Sequence, residues 1–218
     1  MEMDFITFMQ QMINGFSLGS MYALIAIGYT MVYGVLRLIN FAHGDIMMVG
    51  AFLGYFGIAI LGLPFGAAVL LSVVGAAALG MLTDKIAYKP LRQAPKISLL
   101  ITAIGISFFL ENMFTVFVGG VPRAFPVPEY MEHIINIAGL TFSVASMLVP
   151  IVTLALLAVI LYVLFKTKYG MAIRALAFDV NTVNLMGIDA NRIISIVFGI
   201  GSALAAVGGI FWALNYPH

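Results

Sequence analysis

Long apolar segments are the feature that most constrains how this chain can fold. Each is long enough to cross the roughly 30 Å hydrocarbon core of a bilayer as one helix. A backbone in lipid must satisfy its own hydrogen bonds, and the strand-like alternation of a membrane barrel is absent. The sequence therefore predicts an all-α, polytopic transmembrane helical bundle with about six spans. The predicted spans are about 12–36, 45–62, 65–83, 97–118, 143–165 and 193–215.

The composition agrees with a membrane protein and excludes several other classes. Of 218 residues, 63% are hydrophobic and only 9% are charged, whereas soluble domains carry about a quarter charged residues. A net charge of +1 provides no field for binding nucleic acid. The absence of cysteine excludes disulfides and cysteine-based metal sites.

The basic residues predict the orientation in the membrane. All of the ten basic residues except Arg123 fall after the first, third or fifth span, and these three connections lie on one side. Because short cytoplasmic loops are enriched in Lys and Arg, we expect this side to be cytoplasmic and the N-terminus to be outside. The proline-rich stretch 119–142, which contains Arg123, would then face outward.

A polar cluster interrupts the hydrocarbon between the first two spans, in "LRLINFAHGDIMMVGA" (36–51). Asn40, His43 and Asp45 could belong to a solvated hairpin in which Asp45 caps the next helix. They could also belong to a broken segment at membrane depth, whose free polar groups line a solute path. No second histidine stands at ligand spacing, so we predict no metal site.

Glu111 lies inside the fourth predicted span, in "GISFFLENMFTVF". A carboxylate in hydrocarbon costs several kcal/mol unless it faces water or a partner group. Two interpretations remain open for this residue. It could line a transport pathway, or it could make a buried structural hydrogen bond, for example with Asn112.

The stretch "KTKYGMAIRALAFDVNTVNLMGIDANRI" (166–193) predicts a single short amphipathic helix on the cytoplasmic side. Its apolar stripe consists of Ile173, Leu176, Val180 and Val183. Arg174 lies on the polar face, and Gly187 is placed to end the helix. Such a helix could lie on the membrane surface, or it could dock into a groove of a partner protein.

Two motifs bear on enzymatic activity. "GFSLG" (15–19) matches the nucleophile elbow of hydrolases, but it opens an apolar helix and lacks a recognisable His and acid partner. The chain contains no Gly-Lys pair and hence no phosphate-binding loop of the Walker type. We therefore expect no enzymatic activity, and if ATP drives this protein, another subunit binds it.

Several stretches together resemble the permease subunits of high-affinity branched-chain amino acid ABC transporters. They are "NGFSLGSMYALIAIGYTMVYG", "INFAHGDIMMVGAF", "ITAIGISFFLEN", "YGMAIRALAFD" and "LMGIDANRI", and they are spread over most of the chain. The resemblance implies an ABC importer permease of the bacterial or archaeal cytoplasmic membrane that carries leucine, isoleucine and valine. It also implies a homologous second permease, two ATPases that bind the ATP and Mg²⁺, and an extracytoplasmic solute-binding protein.

The resemblance also assigns roles to two sets of residues. Those expected to line the translocation pathway are Asn40, His43, Asp45 and Glu111. A cytoplasmic coupling segment at about 167–192 is expected to contact the ATPases. Its contact residues would be Ile173, Arg174, Leu176, Val180, Val183 and Gly187.

Other interpretations are narrower or belong to another class. Permeases for urea or short amides are the nearest alternative, because substrate choice rests mainly with the binding protein. An ion-coupled secondary transporter would need a titratable relay and internal repeats, and only Glu111 lies well inside a span. Permeases of the resembled family continue with further glycine-rich helices, so we expect this chain to be truncated at its C-terminus.

Overall fold

Apolar helices dominate the computed structural model, which describes residues 5–216. In that range six helices are long and apolar enough to cross a membrane, which confirms the predicted all-α bundle. The helices are α1 (Phe5–Leu36), α2 (Ala42–Ala59), α3 (Phe65–Thr83), α4 (Lys96–Phe117), α5 (Glu129–Glu132), α6 (Val144–Lys166), α7 (Lys168–Phe178), α8 (Val180–Leu185) and α9 (Ala190–Asn215). A π-helical turn (Asp84–Tyr88) and a 3₁₀ turn (Lys89–Leu91) extend α3.

The last long helix, α9, occupies the centre of the bundle. Its most apolar window is 72% buried, whereas the corresponding windows of α4 and α6 are each 17% buried. Helices α1, α2 and α3 all pack against α9. Helices α4 and α6 therefore form the periphery and present most of their apolar surface outward.

Glycines allow the backbones around α9 to approach each other directly. A Cβ atom on Gly28 of α1 would lie 2.6 Å from the Gly201 carbonyl oxygen, and one on Gly209 would lie 2.6 Å from the Met47 carbonyl oxygen. Gly50 of α2 meets the backbone of α9 in the same way. These glycines thus provide the close helix contacts that small residues permit in lipid.

A short β-hairpin precedes α6. Strands β1 (Ile134–Ile137) and β2 (Leu140–Ser143) pair antiparallel. The two turn residues, Ala138 and Gly139, both have positive φ, as the favoured tight hairpin turns require. The Gln10 side chain accepts a hydrogen bond from the Thr141 N–H at 2.8 Å and donates one to its carbonyl at 2.6 Å, so the hairpin is attached to α1.

The predicted single amphipathic helix is wrong, because the segment breaks at Asp179 into α7 and α8. Asp179 has extended backbone, and its carboxylate accepts hydrogen bonds from the Thr182 hydroxyl at 2.5 Å and the Asn181 N–H at 2.9 Å. These hydrogen bonds hold the pKa of the exposed Asp179 carboxyl below its usual value. The carboxylate caps α8 and so favours the break over a continuous helix.

The glycine contacts predict unequal effects of the same substitution within α1. Gly28→Ala should lower the stability of the purified chain in detergent by about 1–3 kcal/mol, because its methyl group meets backbone that cannot rotate away. Gly19→Ala is the matched control, since nothing lies within 4 Å of a Cβ atom there. Thermal unfolding in detergent measures both. Equal shifts of the unfolding temperature in the two variants would contradict the direct backbone contact with α9.

Candidate functional site

The chain between α1 and α2 turns back along α1 before the second helix begins. His43, in the first turn of α2, has its Nε2 atom 3.2 Å from the carbonyl oxygen of Ile25. Ile25 lies about 16 Å along the helix axis from the end of α1 at Leu36. Residues 37–41 therefore run back beside α1, and α2 starts alongside its middle rather than beyond its end.

Asn40 and His43 are both buried, and each has a polar partner. The Tyr88 hydroxyl donates a 2.7 Å hydrogen bond to the Asn40 side-chain oxygen. The His43 ring, besides its contact with Ile25, meets the edge of the Tyr29 ring at a centroid distance of 5.7 Å. The partners fix both side chains, so the irregular segment is a defined structure.

Asp45 faces a different helix. It is buried, and one carboxylate oxygen, Oδ2, has no hydrogen-bond partner within the part of the chain that the structure describes. Its polar neighbours are Ser107 and Glu111 on α4. Glu111 itself is exposed on the outer face of the bundle. Asp45 therefore lies on the α4 side of α2, away from the partners of Asn40 and His43.

The four predicted pathway residues consequently do not line one common cavity. Asn40 and His43 line a cavity of about 490 Å³ between α1 and the segment 37–41. A second cavity of about 310 Å³ lies between α2, α9 and the loop that follows α4. Gly44 lines both cavities, so they meet at the first turn of α2. Neither cavity includes Asp45 or Glu111 among its lining residues.

Sequence reasoning missed a buried ion pair beneath this site. Asp84 is fully buried and lies 2.5 Å from an Arg92 guanidinium nitrogen. Its other oxygen accepts a hydrogen bond from the Ser195 hydroxyl at 2.5 Å, and Arg92 also donates to Asn191. The pair connects the end of α3 to the start of α9, and Tyr88 in the same π-helical turn reaches Asn40. The sequence signal was an acid and a base separated by a proline in a polar loop.

The segment α7–α8 buries three of the residues that were predicted to contact a partner. Ile173, Leu176 and Val183 are buried in a cluster with residues of α1 and α9. The apolar stripe thus packs against the chain's own core, and the contact of these residues with an ATPase stays a prediction. Val180 is exposed, and Gly187, with a φ of 80°, follows the end of α8.

Other side chains of this segment point outward. Arg174 is exposed, and its guanidinium lies 5.1 Å from the centre of the Phe165 ring. Three large apolar side chains near the break and at the end of α8 are mostly exposed: Phe178 at 85%, Leu185 at 88% and Met186 at 77%. Singly exposed apolar residues are common, but three within nine residues beside a charged residue form a patch that suits a protein contact.

The described residues contain no group of three His, Cys, Asp or Glu side chains that could hold a metal ion. What the site offers is two neighbouring cavities with mostly apolar linings that share Gly44, and one buried carboxylate nearby. This arrangement suits the passage or binding of a small organic solute.

Comparison with known proteins identifies the family. A family model described as a branched-chain amino acid transport system / permease component matches residues 11–218. The permease protein LivH of the high-affinity branched-chain amino acid transport system in Escherichia coli K12 is 37% identical over 99% of this chain and 74% of its own length. BraD of Pseudomonas aeruginosa, named as the same kind of permease, is 36% identical over 96% of this chain and 72% of its own length.

A more distant relative comes from an archaeon. The probable branched-chain amino acid permease LivH of Methanocaldococcus jannaschii is 29% identical over 87% of this chain and 61% of its own length. No solved structure matches the chain significantly. With its six apolar helices the chain is a multi-pass membrane protein. It belongs to the family of permease components of branched-chain amino acid transport systems.

Proposed function

We propose that this chain is the permease subunit of an ATP-driven importer that carries leucine, isoleucine and valine across a bacterial or archaeal cytoplasmic membrane. The observation that carries the proposal is the family match over residues 11–218, together with relatives whose names specify this transport. The chain has no Walker motif, which supports ATP binding by separate subunits. ATP and Mg²⁺ then act in two ATPases, and a solute-binding protein delivers the amino acid from outside.

In this proposal the N-terminus lies outside. The distribution of basic residues supports this orientation, since Arg37, Lys85, Lys89, Arg92 and the basic residues of 166–192 share one side. The ion pair and the segment α7–α8 are then cytoplasmic, whereas Arg123 and the β-hairpin are outside.

The translocation pathway in this proposal follows α2. The first turn of α2 lines both cavities through Gly44. Asn40 and His43 line the cavity beside α1, here called the inner cavity. Both cavities are partly open to the surroundings, and in this proposal a second homologous permease completes their walls. Asp45 and Glu111 belong to the pathway in this proposal through the α4 side of the same helix.

The coupling contact in this proposal uses the exposed residues of 167–192. The buried stripe of Ile173, Leu176 and Val183 holds α7 and α8 against the chain's own core. Phe178, Leu185 and Met186 are the side chains that a partner can reach. The ATPases would contact this patch, and the buried stripe would transmit their movement to α9.

The transport proposal predicts ATP-dependent uptake of leucine. In proteoliposomes that hold the chain with its partner subunits, labelled leucine should accumulate with ATP inside and the binding protein outside. Excess isoleucine and valine should compete, whereas urea and acetamide should not. Ionophores that collapse ion gradients should leave the initial rate unchanged. Uptake driven by an ion gradient without ATP would instead identify a secondary transporter.

The coupling proposal predicts a loss of ATPase binding in Leu185→Asp. An exposed apolar anchor in a partner's pocket contributes about 2 kcal/mol, so the change should weaken co-purification of the ATPase more than tenfold. The permease should remain in the membrane, because Leu185 lies outside the spans. Ile137→Asp, at an exposed apolar position of the β-hairpin, is the matched control and should retain the ATPase. Normal co-purification with Leu185→Asp would rule out this contact.

The pathway proposal predicts slower uptake in Glu111→Gln. Losing a charged hydrogen-bond partner costs about 1.5–3 kcal/mol, so the uptake rate should fall tenfold or more. The amount of assembled complex should not change, because Glu111 is exposed. Asn112→Ala controls for the position, since the Asn112 side chain hydrogen-bonds within its own helix, to the Phe108 carbonyl. If Glu111→Gln transports at the normal rate, Glu111 does not belong to the pathway.

A further inference from the structure

The cavity between α2, α9 and the loop after α4, here called the outer cavity, is lined by none of the four predicted pathway residues. Its floor consists of Met47, Met48 and Ala51 on α2. Aromatic rings from α2 and α9 form its walls, among them Tyr55 and Trp212. Its volume of about 310 Å³ lies at the small end of ligand pockets, which suits a ligand of amino-acid size.

One guanidinium stands at this cavity. Arg123 is the one basic residue between Lys96 and Lys166. It donates a 2.6 Å hydrogen bond to the Val118 carbonyl, and its guanidinium lies 5.9 Å from the centre of the Tyr55 ring. Within residues 5–216 no carboxylate lies within ion-pair distance of it. Donors therefore remain for an external anion, and a carboxylate is the group whose geometry matches a guanidinium.

The aromatic walls can accept the opposite charge. The Trp212 ring lies beside that of Tyr216, which lines the same cavity, with 5.0 Å between the ring centroids. The faces of Trp and Tyr rings attract ammonium groups, and they do so more strongly where water is excluded. The cavity thus combines a guanidinium that can bind an anion, aromatic ring faces that can bind a cation, and an apolar floor.

We propose that this cavity is a subsite for the amino acid itself. The carboxylate binds Arg123, the ammonium group lies against the aromatic rings, and the apolar side chain rests on Met47, Met48 and Ala51. The proposal rests on the proposed function and adds the residues that hold the solute at the outer end of α2. From here the solute reaches Gly44, where the inner cavity with Asn40 and His43 begins.

Trp212 makes the subsite directly measurable. It is the single tryptophan of the chain and it lines the cavity, so its fluorescence reports occupancy in the purified chain in detergent. Titration with L-leucine should give a saturable change. Leucinamide, which lacks the carboxylate, and 4-methylpentanoate, which lacks the ammonium group, should each bind at least tenfold more weakly.

Two substitutions test the assigned contacts. Arg123→Gln should weaken leucine binding at least tenfold and remove the preference for leucine over leucinamide, and Arg123→Lys should keep part of that preference. Ala51→Phe should block binding by filling the floor, whereas Ala59→Phe, at an exposed position of the same helix outside the cavity, should not.

Three results would overturn the subsite. They are no fluorescence response to leucine in the unmodified chain, an unchanged leucine affinity in Arg123→Gln, and equal binding of leucine and leucinamide by the unmodified chain. The transport proposal is tested separately by uptake in the assembled complex. A complex that imports leucine while Trp212 gives no response would refute the subsite alone, and a complex without leucine uptake would refute the transport proposal.

Discussion

Direct backbone contact between α9 and its neighbours is the constraint on which the rest of the structure depends. In lipid the hydrophobic effect does not drive helices together, so they associate through close packing. At Gly28, Gly50 and Gly209 the backbones approach so closely that a methyl group would not fit. This packing fixes α2 beside α9. The outer cavity lies between these two helices, and its shape follows from that fixed distance.

The return of residues 37–41 along α1 depends on the same packing. Irregular backbone at membrane depth is tolerated only where it is buried in protein or lines a water-filled cavity. Here the segment meets both conditions: Asn40 and His43 are buried and partnered, and they line a cavity. The polar residues that stood out in the sequence thus allow a helix to begin alongside the middle of its neighbour. The alternative of a solvated hairpin does not fit this position.

The sequence predicted the fold well, because the length and composition of an apolar segment depend on lipid thickness and little else. It could not predict which helix would be central, although α9 contains the closely spaced Gly199, Gly201, Gly208 and Gly209. The apolar stripe of Leu176 and Val183 indicated that these residues would be buried, but not against what. In the structure they pack against the core of the chain itself. That Asp45 faces α4 follows only from the packing of α2 on α4, which periodicity does not reveal. The cavity around Arg123 likewise joins residues from three distant parts of the chain.

The π-helical turn at Asp84–Tyr88 is the place in this long helix where the chain can change its length by one residue. A π-helical turn contains one residue more than the α-helical turn that would replace it. Losing one exposed residue of the turn, Lys85 or Ile86, would therefore leave an ordinary α-helical turn, and the chain beyond it would keep its direction. In α3 itself the same loss would rotate everything beyond it by about 100° around the helix axis, since an α-helix has 3.6 residues per turn. The contacts of Tyr88 with Asn40 and of Arg92 with Asp84 are therefore less sensitive to a deletion here than to one within α3.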